Sequence, residues 1–326
     1  MATTFNDAPT QTVKVDGTDF AYRVIGDAGG LPIVLLHHFT GVLDDWDPAV
    51  IDGLAQQRRV IIFDNRGVGR SQGKTPSSVE AMATDAIAFI GALGFTQVDL
   101  IGFSLGGFIA QVVAHDRPDL VRRMILAGTG PAGGKGTTNL AAVLQDAFQK
   151  AAAQKKHPKH FLFFSQTNKS QAAADAFLQR LQERKDDRDL AASNETTQAQ
   201  STAIVQWGKS DGAKKLSAIS HPVLVANGDN DIMVPTTNSF ALFEALPNAE
   251  LTIFPDAGHG GIFQYHREFT EQALGSSEAD ILERGFLGGR PPMGGLIRFA
   301  GIRIAGIHFD FPNAHMPRAV ERDRRR

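Results

Sequence analysis

The 326-residue chain contains no cysteine, which excludes disulfides, thiolate nucleophiles and cysteine metal sites and fits a reducing compartment. Its polar first segment, 1–12, lacks a basic stretch followed by an apolar one, so no secretory signal is expected. No uninterrupted apolar run approaches membrane-spanning length; the nearest, 296–309, is broken by Arg298 and Arg303. Charge of one sign is lacking too. The 33 Lys+Arg and 35 Asp+Glu leave a formal net charge of −2, a balance that favours neither nucleic acid nor an anionic membrane. There is no internal repeat, and no Gly-x-Gly-x-x-Gly follows a strand-like run, so neither a dinucleotide nor any other cofactor is expected. These absences predict a soluble cytoplasmic protein with no nucleic-acid or membrane partner, and the composition is compatible with a homo-oligomer.

What is present begins with ordinary globular composition, 42% hydrophobic and 21% charged, in a chain long enough for one large α/β domain or two small ones. The most informative stretch runs from Val98 to Phe108. Val98, Leu100 and Ile101 read as a buried strand that stops at Gly102, and a helix starts after Ser104 with Phe108, Ile109, Val112 and Val113 on its apolar side. So tight a strand-to-helix turn strains its apex residue and brings neighbouring chain close. Gly102 and Gly106 remove the Cβ atoms that would collide there. The apex is Ser104. Read alone, it is a small residue in a tight turn; with strand and helix around it, it reads as a presented hydroxyl.

Around this stretch, strands and helices alternate. Runs at 12–15 and 20–25, split by Asp16-Gly17, predict a hairpin. Solid apolar runs at 33–36 and 59–63 predict strands buried on both faces. A helix is predicted over 79–93, capped by Ser78 and stopped by Gly94, and a further strand over 124–127. After about residue 130 the strand signals vanish and helices are predicted at 140–153, 171–184 and 196–207, too long a stretch for a loop and so a helical insertion. Its Phe161, Leu162, Phe163, Phe164, Leu178 and Trp207 form a candidate roof over the Ser104 turn, or simply pack the insertion onto the core. The α/β pattern resumes with strands at 221–226 and 250–254 and helices at 237–246 and 261–274. This rhythm predicts a mostly parallel sheet covered on both faces, with core segments 1–129 and 221–274, a cap over 130–220, and a Gly-, Pro- and Arg-rich tail over 275–326 lying outside the core. The terminal arginines read as a solvated end.

The sequence Gly102-Phe103-Ser104-Leu105-Gly106, set between strand and helix, resembles the nucleophile elbow of the α/β-hydrolase family. The resemblance extends over about residues 12–274. It implies an α/β-hydrolase fold with a serine nucleophile, followed in the chain by an acid and then a histidine. Asn227-Gly228-Asp229-Asn230-Asp231-Ile232-Met233-Val234-Pro235 is similar to the family's acid loop and implies Asp231 as the acid; Asp229 is a rival that local pattern alone does not separate. Pro255-Asp256-Ala257-Gly258-His259-Gly260 is similar to its histidine loop, with Asp256 read as a turn residue or brace. Both loops follow predicted strands, where open α/β sheets place their sites.

The family also implies an oxyanion hole from the N–H groups of Leu105 and Phe39. Here the chain departs from the pattern, because His37-His38 stands where the family commonly has His-Gly. His38 either contacts substrate or braces the loop, and Trp207 is a second candidate for lining the substrate site. Adjacent histidines point apart on an extended chain and no third ligand is evident, so no metal is expected. The remaining histidines, among them His115, His157, His160, His221, His266, His308 and His315, read as surface or packing residues. Asp64-Asn65-Arg66-Gly67-Val68-Gly69-Arg70-Ser71 matches a recurrent scaffold motif of the family, in which Asp64 and Arg66 are expected to pair and tether the turn.

The chemistry these residues imply is acyl transfer by Ser104, His259 and Asp231 on an ester, lactone or related acyl compound. Two alternatives stay open at this point: a cofactor-free haloperoxidase or perhydrolase activity on the same residues, and a ligand-binding relative that has lost turnover.

Overall fold

The computed structural model describes residues 3–275 and, beyond them, 297–299 and 302–303. Strands β1 (Gln11–Val15) and β2 (Thr18–Ile25) form the expected hairpin across Asp16 and Gly17, both at positive φ as a two-residue Asp-Gly turn requires. The chain continues through β3 (Ile33–Leu36), α1 (Pro48–Ala55), β4 (Val60–Phe63), α2 (Val79–Ala92), β5 (Val98–Phe103), α3 (Leu105–Asp116) and β6 (Val121–Ala127). Four helices come before the next strand: α4 (Leu140–Gln154), α5 (Lys159–Leu162), α6 (Asn168–Arg180) and α7 (Asn194–Lys209). The remainder is β7 (Val223–Gly228), α8 (Thr237–Ala245), β8 (Ala249–Phe254), α9 (Gly261–Gln264), α10 (His266–Gly275), β9 (Ile297–Phe299) and β10 (Ile302–Arg303).

One sheet holds all ten strands in the order β1-β2-β4-β3-β5-β6-β7-β8-β9-β10. From β4 to β9 every neighbouring pair is parallel; the hairpin, its junction with β4 and the β9–β10 pair are antiparallel. Every residue of β3, β4, β5 and β7 is buried, as continuous apolar runs demand when helices cover both faces. Ser78, Thr167 and Ser193 each accept a backbone N–H in the first turn of α2, α6 and α7, so side chains satisfy donors that the helices leave free. Among the described residues, no helix is long and apolar enough to cross a membrane.

Three expectations about the scaffold differ from the structure. The helix expected over 261–274 is two, α9 and α10, divided at Tyr265. Asp64 and Arg66 do not pair: Arg66 reaches Asp85 of α2 at 2.9 and 2.6 Å and Thr18 at 2.8 Å. Gly69, at φ +55°, turns the chain back so that the Arg70 N–H, rather than a guanidinium, meets Asp64 Oδ2 at 3.2 Å. Of the tail expected outside the core, β9 and β10 pair with the sheet edge, and the rest of that expectation lies outside the described residues.

Asp64 instead meets a second buried carboxyl, Asp189, from the segment between α6 and α7. The Leu43 N–H donates to Asp64 Oδ1 at 3.0 Å and to Asp189 Oδ2 at 3.1 Å. Burial, followed by the neighbouring Asp189, pushes the Asp64 carboxyl well above its ordinary range. The charges facing the pair are Arg70, whose Nε is 4.0 Å from Asp189 Oδ1, and Asp44, which accepts the Asp189 N–H at 2.7 Å.

A raised carboxyl pKa means that the folded state binds the extra proton. The stability it contributes is complete below the unfolded carboxylate pKa and is lost as pH rises through the folded value, with a slope of up to about 1.4 kcal/mol per pH unit. Asp189→Asn, which donates to Asp64 permanently, is expected to flatten the decline in melting temperature from pH 5 to pH 8. Parallel pH series by circular dichroism check this; identical slopes contradict it.

Candidate active site

Ser104 sits at the turn between β5 and α3 with φ 57° and ψ −117°, a strained conformation for a residue with a side chain. Its N–H donates to Ala127 O at 2.9 Å and its carbonyl accepts the Thr129 hydroxyl at 2.8 Å, so the end of β6 holds the apex on both sides. The space is made by glycines. A Cβ on Gly106 would lie 1.9 Å from Leu36 O, and one on Gly102 would lie 2.4 Å from Gly106 O. Gly107 is needed as well, since its Cβ would meet the Thr129 side chain at 2.5 Å. Leu105 opens α3, so its N–H has no acceptor four residues back in the helix.

Asp231 and His259 come from the loops after β7 and β8. Both side chains are fully buried, and His259 Nδ1 lies 2.8 Å from Asp231 Oδ2. The other oxygen, Oδ1, accepts the N–H groups of Met233 at 2.8 Å and Val234 at 3.0 Å, which fix the carboxylate. Asp229 does something else: its Oδ1 accepts the Ala257 N–H at 3.1 Å and ties the two loops together. Asp256 accepts the Thr167 hydroxyl at 2.6 Å and braces α6. The imidazole of His259 packs against the Phe103 ring at 4.9 Å, one residue before Ser104. Its Nε2 is buried and has no hydrogen-bond partner among the described residues, so the Ser104 hydroxyl is not bonded to it here. Such bonds commonly tighten only when substrate is bound.

The third loop follows β3. His37 and His38 do not point apart as an extended dipeptide would place them; their rings meet edge to face at 4.6 Å. The cause is local hydrogen bonding. The His38 N–H donates to His37 Nδ1 at 3.0 Å, and His38 Nδ1 lies 2.8 Å from Phe39 O. His37 also stacks on Trp46 at 4.5 Å. Thr40, at φ 57°, donates its N–H to Gln200 Oε1 of α7 at 2.6 Å, and this strained residue turns the loop directly after Phe39.

The roof is built by two parts of the segment between β6 and β7. Phe163 lies 5.6 Å from His38, 5.8 Å from Phe103 and 5.5 Å from His259 between ring centroids. Its carbonyl accepts the Gly260 N–H at 2.8 Å, an approach that side chains at 258 or 260 would block. On the other side α7 lays Trp207 on Phe108 at 5.3 Å, and the Trp207 N–H reaches Gly130 O at 3.4 Å. Trp207 therefore packs the roof onto the elbow helix.

Sequence reasoning missed the electrostatics beneath this roof. Lys159 of α5 pairs with Asp45 at 2.5 Å, and Arg180 of α6 grips Asp47 at 2.7 and 2.6 Å. Asp44 pairs with the buried Arg23 at 2.6 Å. The signal was the acid-rich Leu43-Asp44-Asp45-Trp46-Asp47 after the loop. Burial, the neighbouring His38 and Lys159 push His37 well below its ordinary pKa, against a pull from Asp45. Burial and Lys159 push His38 down to about 4. Burial alone would raise the Asp45 carboxyl, but Lys159 holds it below the usual range. The other histidines lie elsewhere: His115 beside Asp116, His160 against Gln171, His221 on Pro118 O, and His308 and His315 outside the described residues.

A family model described as alpha/beta hydrolase fold matches residues 32–264. The chain belongs to the α/β-hydrolase fold family. It is similar to a non-heme chloroperoxidase of Streptomyces lividans, 31% identical over 262 residues and covering 75% of this chain and 91% of the relative. Among solved structures it is similar to an alpha/beta hydrolase fold protein from Chitinophaga pinensis, with 44% identity, a TM-score of 0.80 and coverage of 83% of this chain and 97% of the other. Est816, described as an N-acyl homoserine lactone degrading enzyme, is 25% identical with a TM-score of 0.66, covering 82% of this chain and all of its own, 100%. In this α/β hydrolase, Ser104, Asp231 and His259 lie on the loops after β5, β7 and β8.

The glycine spacing of the elbow is directly testable. Gly106→Ala is expected to lower stability by about 3 kcal/mol or more, because backbone rather than a flexible side chain blocks the new Cβ. Gly91→Ala in α2, with nothing within 4 Å, is expected to raise stability by about 0.4–1 kcal/mol. Urea denaturation midpoints of both variants check the contrast.

Proposed function

We propose that this α/β hydrolase is a serine hydrolase that cleaves a carboxylic ester, lactone or related acyl compound through an acyl-enzyme. The observation that carries the reading is the buried 2.8 Å contact between Asp231 and His259 Nδ1, with the far nitrogen unpartnered beside the elbow. Asp231 accepts from Nδ1–H, which leaves Nε2 as a lone pair able to take a proton. Nε2 takes the Ser104 proton as Oγ adds to the carbonyl carbon, and Asp231 stabilises the imidazolium formed. The N–H groups of Leu105 and Phe39 hold the negative oxygen of the tetrahedral intermediate. The imidazolium returns its proton to the leaving alkoxide, and water, activated by the same nitrogen, releases the acid and frees Ser104.

Similarity to a relative named as a non-heme chloroperoxidase favours a second reading on the same residues, in which peroxide replaces water at the acyl-enzyme and yields a peracid. Halide oxidation that requires both a carboxylic acid and hydrogen peroxide distinguishes it from ester hydrolysis alone.

Stopped-flow release of p-nitrophenol from p-nitrophenyl acetate is expected to show a burst of about one equivalent per chain. Ser104→Ala and His259→Ala are each expected to lower kcat by roughly a thousandfold or more, with the fold retained. Turnover at the wild-type rate in Ser104→Ala overturns the assignment.

A further inference from the structure

His38 stands where the α/β-hydrolase pattern commonly has glycine, and its ring carries a hydrogen-bonding atom that nothing satisfies. Its Nδ1 lies 2.8 Å from Phe39 O. A carbonyl oxygen only accepts, so Nδ1 bears the proton and donates it. Burial and the Lys159 ammonium push the ring's pKa down to about 4, against a pull from Asp45, so the imidazole is neutral at pH 7. Nε2 is therefore a bare lone pair. It is buried, with no partner among the described residues.

None of the groups around it bonds to it. His259, by the same logic, donates from Nδ1 to Asp231 and offers its Nε2 as a second acceptor. His38 and His259 flank the same two rings: Phe103 lies 5.5 Å from His38 and 4.9 Å from His259, and Phe163 lies 5.6 and 5.5 Å from them. Ser104 has a single hydroxyl proton, and the hydrolase reading directs it to His259. His37 accepts the His38 N–H at its own Nδ1 and stacks on Trp46; its Nε2 makes no bond to His38. Lys159 is held on Asp45. His38 Nε2 and His259 Nε2 are thus two buried acceptors, and the donors left on and against the loop, His37 Nε2, Trp46 Nε1 and the Gln200 amide, bond to neither.

We propose that His38 Nε2 accepts a hydrogen bond from an N–H or O–H that the substrate carries on its acyl part, next to the scissile carbonyl, and so selects donor-bearing acyl groups. The inference rests on the serine-hydrolase reading. It places the donor on the acyl side because His38 directly precedes Phe39, whose N–H that reading aims at the carbonyl oxygen, while the leaving group departs toward His259. An acylated amino acid or an α-hydroxy acid, as its ester or lactone, fits this description; a simple alkyl ester does not.

The test is a pair of esters that differ by one group. p-Nitrophenyl N-acetylglycinate and p-nitrophenyl 4-oxopentanoate have the same chain except that N–H in the first is CH2 in the second. The readout is the ratio of their kcat/KM values in the wild type divided by the same ratio in His38→Phe, which keeps an aromatic ring and removes the acceptor. Intrinsic reactivity cancels in this quotient, and so does a loss of activity from disturbed packing. The expected quotient is roughly tenfold or more in favour of the N–H ester, since a site built around a hydrogen bond discriminates strongly against the analogue lacking it. Should His38→Phe fail to fold, His38→Gly, the residue common in the family, serves as the reference. A quotient near one, with Ser104-dependent turnover of both esters, overturns the role of His38 and leaves the hydrolase reading intact. Absence of Ser104-dependent turnover of either ester overturns both.

Discussion

The site depends on how closely α3 approaches the end of β3. Gly106 lies against the Leu36 carbonyl with no room for a methyl group, which lets the first turn of α3 start directly beneath Ser104. That contact fixes the Leu105 N–H, the Ser104 apex and the start of the His37–Gly41 loop relative to one another, because β3 and β5 are hydrogen-bonded neighbours. The same parallel register continues from β6 through β7 to β8. Loops that leave the carboxyl ends of β3, β5, β7 and β8 therefore emerge on one edge, where open parallel sheets place their chemistry. Residues more than a hundred positions apart in the chain are thereby brought to one edge.

The roof is attached to this edge through polar groups as well as rings. Gly260 N–H to Phe163 O ties it to the histidine loop, Thr40 N–H to Gln200 ties it to the loop after β3, and Thr196 to Gly67 O at 2.7 Å ties it to the turn after β4. Asp44, Asp45 and Asp47 receive Arg23, Lys159 and Arg180. Partly buried pairs of this kind contribute less through net attraction than through specificity, since losing one partner strands the other in a poor dielectric. Lys159 also has a chemical consequence. With burial, it keeps the neighbouring imidazole of His38 neutral.

Much of this was legible in the sequence, for physical reasons. The hairpin, the buried strands and the capped helices follow from Asp-Gly turn chemistry, continuous apolar runs and Ser-initiated periodicity, which act within a few residues. The elbow was legible because backbone sterics restrict which residues tolerate that turn, and Asp231 facing His259 followed the family's spacing. What was not legible came from pairing at long range. Lys159 and Asp45 are 114 positions apart, and Asp189 meets Asp64 across an insertion whose packing has no sequence period. The expected Asp64–Arg66 pair failed because Gly69 brings a backbone donor closer than any guanidinium. The contact between His37 and His38 depends on which ring nitrogen carries the proton, a choice set by neighbouring backbone groups that sequence does not display.

The proposed acyl transfer requires Ser104, His259 and Asp231 to act as one unit on an acyl carbonyl. The most direct measurement is active-site titration with a fluorophosphonate, followed by intact-mass and peptide analysis of the adduct. One adduct per chain is expected on Ser104, formed far more slowly in His259→Ala and Asp231→Asn. An adduct on another residue, or labelling of Ser104 at an unchanged rate in His259→Ala, would contradict it.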